Sequence, residues 1–414
     1  MISSRIDMAV RKCGVWTIGS GKGGVGKSFL TASMGIMLAR SGKSVIVADA
    51  DLSGPDLYAY LGIKTPEVTL LDVVERRAAV PDALQPTAEP RLQLVSCVGE
   101  QPGMADLSPR EQAAIAEMLL SLEADHVLID VGSGISGRVL DFFNMGTEAI
   151  VVASPDQVSM QSAYGFIRSS IYRRVQQAHG AHRAVSAALR QLRQGAPGNQ
   201  ARTMTEFCDQ VRPAARELAD SIAALVDGYR PLLLVNLAVS DQDQRKAEII
   251  QSAAKKFLNV HLRLCGLIPW DAAVPRTLQR AGRTNGSEPD CPSARQIRQM
   301  ALQLAGQGAC GEDTKDGRPR SPLAGTPAPG LNDNLVFMGK DLHIQTEDTG
   351  DAGHCITTQV FCEGRVILST KSAYASSGQE LQSASQRVEL MRAQHFNVIR
   401  EIESRMTRFE SAQA

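Results

Sequence analysis

Over roughly the first three quarters of the chain, apolar residues come in short unbroken runs separated by stretches with helical spacing. Val15-Trp16-Thr17-Ile18 reads as a buried strand, and Val45-Ile46-Val47-Ala48 and Val127-Leu128-Ile129 are continuously apolar, as central strands must be. The runs predict strands at Val15–Gly19, Ser44–Asp49, Leu92–Ser96, His126–Asp130, Glu148–Ala153, Pro231–Asn236 and Leu262–Ile268. Phe29 to Arg40, after the first of them, has the spacing of a helix. Such alternation over residues 12–305 predicts an α/β fold, a doubly wound and mostly parallel sheet with helices on both faces.

Two stretches break the rhythm. Residues 171–229 have helical composition with a break at Gly195-Ala196-Pro197-Gly198, and read as a helical insertion. Residues 306–330 turn to Gly, Pro, Ser, Asp and Lys, the composition of a flexible linker. Beyond it, over 331–414, the spacing predicts a small α+β module. Asp341–Thr346, Ile356–Cys362 and Arg365–Thr370 alternate like strands, with Glu363-Gly364 as a hairpin turn. Gln379 to Phe409 closes the chain as a long helix, with Val388, Met391, His395, Val398, Ile402, Met406 and Phe409 on one stripe. The mixed charge of its other face suits packing or a protein partner better than a lipid surface.

Charge and cysteine content narrow the class. Lys+Arg and Asp+Glu both number 44 among the 414 residues, so global charge points to neither nucleic acid nor membrane. Eight cysteines show no Cys-x-x-Cys and no regular spacing, which argues against a zinc ribbon or a disulfide framework and for a reducing cytoplasm. No run reaches the length of a membrane span, so the expectation is a cytoplasmic protein, at most peripheral at the inner face of the membrane. Between Gln157 and Thr205 lie seven arginines and no acidic residue. This is either a solvated helix face or a contact for nucleic acid or anionic lipid.

The chemistry is concentrated at Gly21-Lys22-Gly23-Gly24-Val25-Gly26-Lys27-Ser28. A glycine, four residues, then Gly-Lys-Ser between a strand and a helix is the phosphate-loop pattern. Glycines let backbone N–H groups converge on a phosphate, and the helix N-terminus adds a positive dipole end. Lys27 can then reach the β- and γ-phosphates of ATP, and the Ser28 hydroxyl is placed for Mg²⁺. Asp49 and Asp51 end one predicted strand and Asp130 ends another, which puts all three on the rim where ligands of open α/β sheets bind. Asp130 is the expected magnesium acid, Asp49 stands behind it, and Asp51 is placed to orient the attacking water. Gly132 and Gly134 follow Asp130 in a segment able to respond to the γ-phosphate.

Lys22, directly after the first glycine, makes the loop resemble the deviant Lys-Gly-Gly-x-x-Lys-Ser/Thr loop of the MinD/ParA ATPases. Leu128-Ile129-Asp130-Val131-Gly132-Ser133-Gly134-Ile135-Ser136, and Ser154-Pro155-Asp156-Gln157-Val158-Ser159 with Ala163-Tyr164-Gly165-Phe166-Ile167-Arg168, are similar to segments of its FlhG (FleN) branch. Val235-Asn236 and Gly266-Leu267-Ile268-Pro269-Trp270-Asp271 match the family's late asparagine and Ile-Pro-x-Asp loop. Leu52-Ser53-Gly54-Pro55-Asp56 is nearer the Gly-Pro of Mrp-type iron–sulfur carriers. The likeness covers about residues 12–168 and 230–282, leaving out the insertion and the C-terminal module.

The resemblance implies an ATP-hydrolysing switch that forms a homodimer on ATP, with Lys22 reaching the partner's nucleotide. It places Asn236, Pro269 and Asp271 around adenine, and implies an output that positions or regulates a flagellum, pole or division apparatus. The C-terminal module is left as the contact for an unidentified protein partner. Two alternatives stay open: a DNA-segregation ATPase using the arginine-rich insertion, and an iron–sulfur carrier, which Cys355 and Cys362, seven apart, would serve poorly.

Overall fold

The structure is a computed structural model that describes residues 13–52, 54–99, 107–194, 201–240, 242–271, 291–307, 331–337, 340–348, 355–362, 365–373 and most of 390–402. Its contacts divide the chain into two units at Gly317/Arg318.

The larger unit is built on eight strands: β1 (Gly14–Ser20), β2 (Val45–Asp49), β3 (Gln85–Pro86), β4 (Leu92–Ser96), β5 (His126–Ser133), β6 (Glu148–Ala153), β7 (Leu232–Ala238) and β8 (Arg263–Pro269). They lie in the order β3-β4-β2-β5-β1-β6-β7-β8. All neighbours are parallel except the short edge strand β3, which runs antiparallel to β4. The predicted doubly wound sheet is thus observed. β3 escaped prediction because two residues, one of them proline, leave no periodic signal. β5 also runs three residues past Asp130, so Asp130 lies within the strand rather than at its end.

The continuous apolar runs have the cause expected of them. Val15, Ile46, Ala48, Val127, Ile129 and Val151 face one buried layer, while Trp16, Ile18, Val47, Leu128, Ile150 and Val152 face another. Alternate side chains of each strand therefore enter opposite cores, and the buried Thr17 among them donates to the Phe143 carbonyl at 2.7 Å.

Twelve α-helices, and a π-helical turn at Ala254–Leu258 after the eleventh, cover the sheet among the described residues. The α-helices are α1 (Lys27–Arg40), α2 (Leu57–Tyr60), α3 (Leu70–Val74), α4 (Val80–Ala83), α5 (Pro109–Ser121), α6 (Gly137–Phe143), α7 (Gln157–His179), α8 (Arg183–Gln194), α9 (Met204–Val211), α10 (Arg216–Asp227), α11 (Gln242–Ala253) and α12 (Pro292–Gln307). Gly306 and Gln307, predicted as linker, are the last turn of α12. The rest of that linker, and the break at 195–198, lie outside the described residues. No helix among the described residues is long and apolar enough to cross a membrane.

The stretch predicted as an insertion is helical, yet α7 runs unbroken through its first residue, with Ile171 and Val175 fully buried. α8–α10 add Val185, Leu189, Phe207, Val211 and Ile222 to the same core. Two of the arginines are structural. Arg173 forms a fork on Asp141, Nε to Oδ1 at 2.6 Å and Nη2 to Oδ2 at 2.7 Å. Arg174 lies over the Tyr229 ring at 5.0 Å and donates to the Asn144 carbonyl at 3.1 Å. Arg168, Arg183, Arg190 and Arg202 remain exposed.

The second unit is an antiparallel meander of β9 (Leu331–Phe337), β10 (Lys340–Asp348), β11 (Cys355–Cys362) and β12 (Arg365–Ala373), in the order β12-β11-β10-β9. β9 was not predicted. Cys362 pairs with Arg365, leaving two residues for the predicted turn, which itself lies outside the described residues. Of the predicted closing helix, residues between 390 and 402 are described. Val398 and Ile402 join Leu342, Ile344 and Val360 in one core, and Met391 and His395 are buried beside them. Thr346 bridges Thr358 at 2.7 Å and His395 Nδ1 at 2.8 Å, so the polar residues on this stripe pair with each other. Val388, Met406 and Phe409 lie outside the described residues.

His126 opens β5 in a tight place, its ring 5.1 Å from that of Trp16. Its Nδ1 is buried without a hydrogen-bond partner. Burial, with Lys43's charge adding to it, pulls the imidazole below its usual range. The folded state thus holds it neutral, while the unfolded chain gains a proton once the pH falls through the ordinary histidine range of about 6.5. Stability is expected to fall as the pH drops through about 6.5. His126→Phe should flatten that fall in urea-midpoint measurements, and an unchanged slope would show that other groups set it.

Candidate phosphate-binding site

The loop between β1 and α1 departs from the way this protein starts several of its other helices. Ser108, Ser136, Asp156 and Thr203 each cap a helix with a side-chain oxygen. α1 has Gly26 at that position, with φ 86° and no side-chain cap. Its first backbone N–H groups are left for a ligand, at the positive end of the helix dipole. Gly26 must be glycine on two counts. Its left-handed backbone disfavours any side chain, and a Cβ there would lie 2.5 Å from Asn236 Nδ2. Lys27 is buried in the first turn, 7% exposed. Lys22 is half-buried, and Gly23 and Gly24 are exposed.

The carboxylates meet across the sheet. Asp49 on β2 and Asp130 on β5 are register partners and both are buried. Burial, then the neighbouring charge of Asp130, pushes Asp49 well above the usual carboxylate range. Burial also raises Asp130, opposed by the positive charge of Lys27 and by a hydrogen bond to the Ser28 side chain. Asp49 holds the chain that follows β2: Oδ1 accepts from Asp51 N–H at 3.1 Å and Oδ2 from Leu57 N–H at 2.9 Å. Asp130 does the same after its own position, its Oδ1 accepting from Gly132 N–H at 3.0 Å. Gly132, at φ 76°, leaves room for the Asp51 carboxylate, whose Cγ is 2.8 Å from where a Cβ would stand. The segments after β2 and β5 are therefore in contact at Asp51 and Gly132.

These residues fit a hard divalent cation. Asp130 faces the charge of the buried Lys27 and that of Asp51, Asp49 stands beside it, and the Ser28 hydroxyl points at Asp130. No trio of His, Cys, Asp or Glu among the described residues would hold a metal alone. Magnesium needs fewer, since it keeps waters and phosphate oxygens in its shell.

Of the residues expected around a base, Asn236 is 3% exposed and its Nδ2 donates to the Val25 carbonyl at 2.9 Å. Pro269 pairs with Ala238 at the end of β8. Asp271 Oδ2 accepts from Ser293 N–H at 3.4 Å and Oγ at 3.2 Å, at the start of α12. Sequence reasoning missed Ser20, which is fully buried and donates from Oγ to the Lys22 carbonyl at 2.7 Å. Its carbonyl also accepts from Gly134 N–H at 2.9 Å, tying the loop to the segment after Asp130. Its one signal was a small polar residue where an apolar strand meets the loop.

The chain is similar to several known proteins. A ParA family model, described as an NUBPL iron-transfer P-loop NTPase, matches residues 13–171. Antiactivator FleN of Pseudomonas aeruginosa is 25% identical over 269 residues, covering 64% of this chain and 77% of that protein. Septum site-determining protein MinD of Helicobacter pylori is 33% identical over 150 residues, covering 36% of this chain and 56% of that one. The match thus spans little more than half of that relative's length. Among solved structures, MinD complexed with Mg-ADP from Pyrococcus horikoshii aligns over 70% of this chain and 96% of that one, at 19% identity and a TM-score of 0.47. With the loop, the carboxylate rim and the sheet order already in place, the family and sequence matches lead to one conclusion: the chain carries a ParA/MinD-family P-loop NTPase domain.

Proposed function

We propose that the chain is an ATP-hydrolysing molecular switch that dimerises on ATP and releases on hydrolysis. The observation that carries this reading is the juxtaposition of Ser28 and Asp130 at the foot of an uncapped helix, with Lys27 beside them. Lys27 offsets the charge of the β- and γ-phosphates, and the free N–H groups of the loop hold their oxygens. A bound Mg²⁺ supplies charge neutralisation of the β- and γ-phosphate oxygens, with Ser28 and Asp130 as its protein contacts and Asp49 behind them. Asp51 accepts a proton from, and so orients, the attacking water. Because Asp51 touches Gly132, loss of the γ-phosphate is felt by both segments together. Lys22 extends to the nucleotide of a second copy.

The names of the relatives, an antiactivator and a septum site-determining protein, favour an output that positions or regulates a cellular machine. We assign the C-terminal unit to an unidentified protein partner, and a peripheral place at the membrane's inner face is compatible with the surface. The family description raises iron transfer as a second reading. Cys355 and Cys362 stand at opposite ends of β11, about 23 Å apart at roughly 3.3 Å per residue, too far for one chain to hold a cluster between them.

Lys27→Ala is expected to weaken ATP binding by at least about tenfold, since a charged contact to phosphate contributes roughly 1.5–3 kcal/mol. Wild-type affinity by titration calorimetry would refute the loop assignment. Asp51→Ala should bind ATP normally yet hydrolyse it about 10²–10⁴-fold more slowly, and accumulate as dimer in sizing chromatography. Undiminished turnover would mean that another residue orients the water. Lys22→Ala should bind ATP as a monomer while its dimer constant falls by at least about tenfold. Sedimentation across a concentration series showing wild-type dimerisation would dismiss the trans role of this lysine.

A further inference from the structure

We infer that Asn236 acts on the nucleotide through the phosphate loop, as a latch that keeps the Val25–Gly26 peptide unit from flipping. This inference rests on the ATPase reading above and assigns Asn236 a role independent of the base. The side chain is 3% exposed, and its Nδ2 donates to the Val25 carbonyl at 2.9 Å across 211 residues of sequence. No described peptide bond is cis. In a planar trans peptide the carbonyl of one residue and the N–H of the next point in opposite directions. Holding the Val25 carbonyl toward β7 therefore aims the Gly26 N–H the other way, into the loop, where phosphate oxygens would accept from it.

The need for a latch follows from Gly26 itself. At φ 86° a glycine has few steric barriers, so the peptide before it rotates more easily than it would before any residue with a side chain. Flipping would turn a carbonyl toward the phosphates and remove a donor. Asn236 blocks this twice: its amide binds the carbonyl, and its Nδ2 fills the space over the Gly26 Cα, 2.5 Å from where a Cβ would be. The backbone around Asn236 is shaped for the task. Leu237 is in the left-handed region at φ 60°, which is uncommon for leucine. The β7–β8 register also shifts between Val235 and Ala238, turning this end of the strand away from regular pairing. Trp270 N–H donates to the Ala238 carbonyl at 2.8 Å and anchors the far side of the shift. Strain of this kind is kept where a side chain has to be aimed.

A ligand without a base separates the two ways Asn236 could act. Binding of Mg-ATP and of Mg-tripolyphosphate to the full chain is measured for wild type, Asn236→Ala and Asn236→Asp, with melting temperatures recorded alongside. Asn236→Ala should weaken both ligands by the same factor, about tenfold. Asn236→Asp should be at least as weak, because a carboxylate cannot donate to the carbonyl and repels it. A loss confined to ATP, with tripolyphosphate unchanged, would overturn the latch and leave Asn236 as a base contact. Unchanged binding of both would overturn any role at the nucleotide. A fall in melting temperature accompanied by an equal loss of native far-ultraviolet circular dichroism, a phosphate-independent readout, would reduce Asn236 to a structural residue. Failure of wild type to bind either ligand would instead refute the ATPase reading.

Discussion

The register pairing of Asp49 with Asp130 is the constraint around which this site is organised. Two carboxylates are buried side by side at the end of a sheet, where burial and mutual repulsion both oppose their charge. The protein supplies partial relief: backbone N–H groups to each, a serine hydroxyl and one buried lysine. An arrangement costly in isolation and resolved by a ligand is what a binding-driven switch requires.

The same hydrogen bonds couple the ligand to the rest of the chain. Asp49 holds the turn from Asp51 to Leu57, Asp130 holds Gly132, and Asp51 lies on Gly132. Ser20 links the phosphate loop to Gly134. A change of charge at the phosphates therefore meets three segments that already touch, and none can move without disturbing the others. Asn236 plays the complementary part in our proposal, holding the Val25–Gly26 peptide unit through its carbonyl.

Much of this was legible in the chain. Runs such as Val45–Ala48 announced central strands because both faces of the sheet are covered, and a period of two disappears when neither side meets water. The phosphate loop was legible because it is contiguous: its glycines, Lys22, Lys27 and Ser28 lie within eight positions. Asp49, Asp51 and Asp130 could be placed on one rim because parallel strands end on the same side. Alternation in the C-terminal module announced its strands and the buried stripe of Met391, His395, Val398 and Ile402.

Other features only the tertiary structure decided, because they depend on contacts between distant residues. The exact register of Asp49 against Asp130 is set by core packing of β2 on β5. Whether the arginines of α7 contact solvent or carboxylates depended on where Asp141 and Tyr229 arrive. The direction of the Asn236 side chain follows from a left-handed Leu237 and a register shift beside β8, neither of which leaves a mark in hydropathy. Sequence spacing determined which groups reach the rim; three-dimensional packing decided which of them touch.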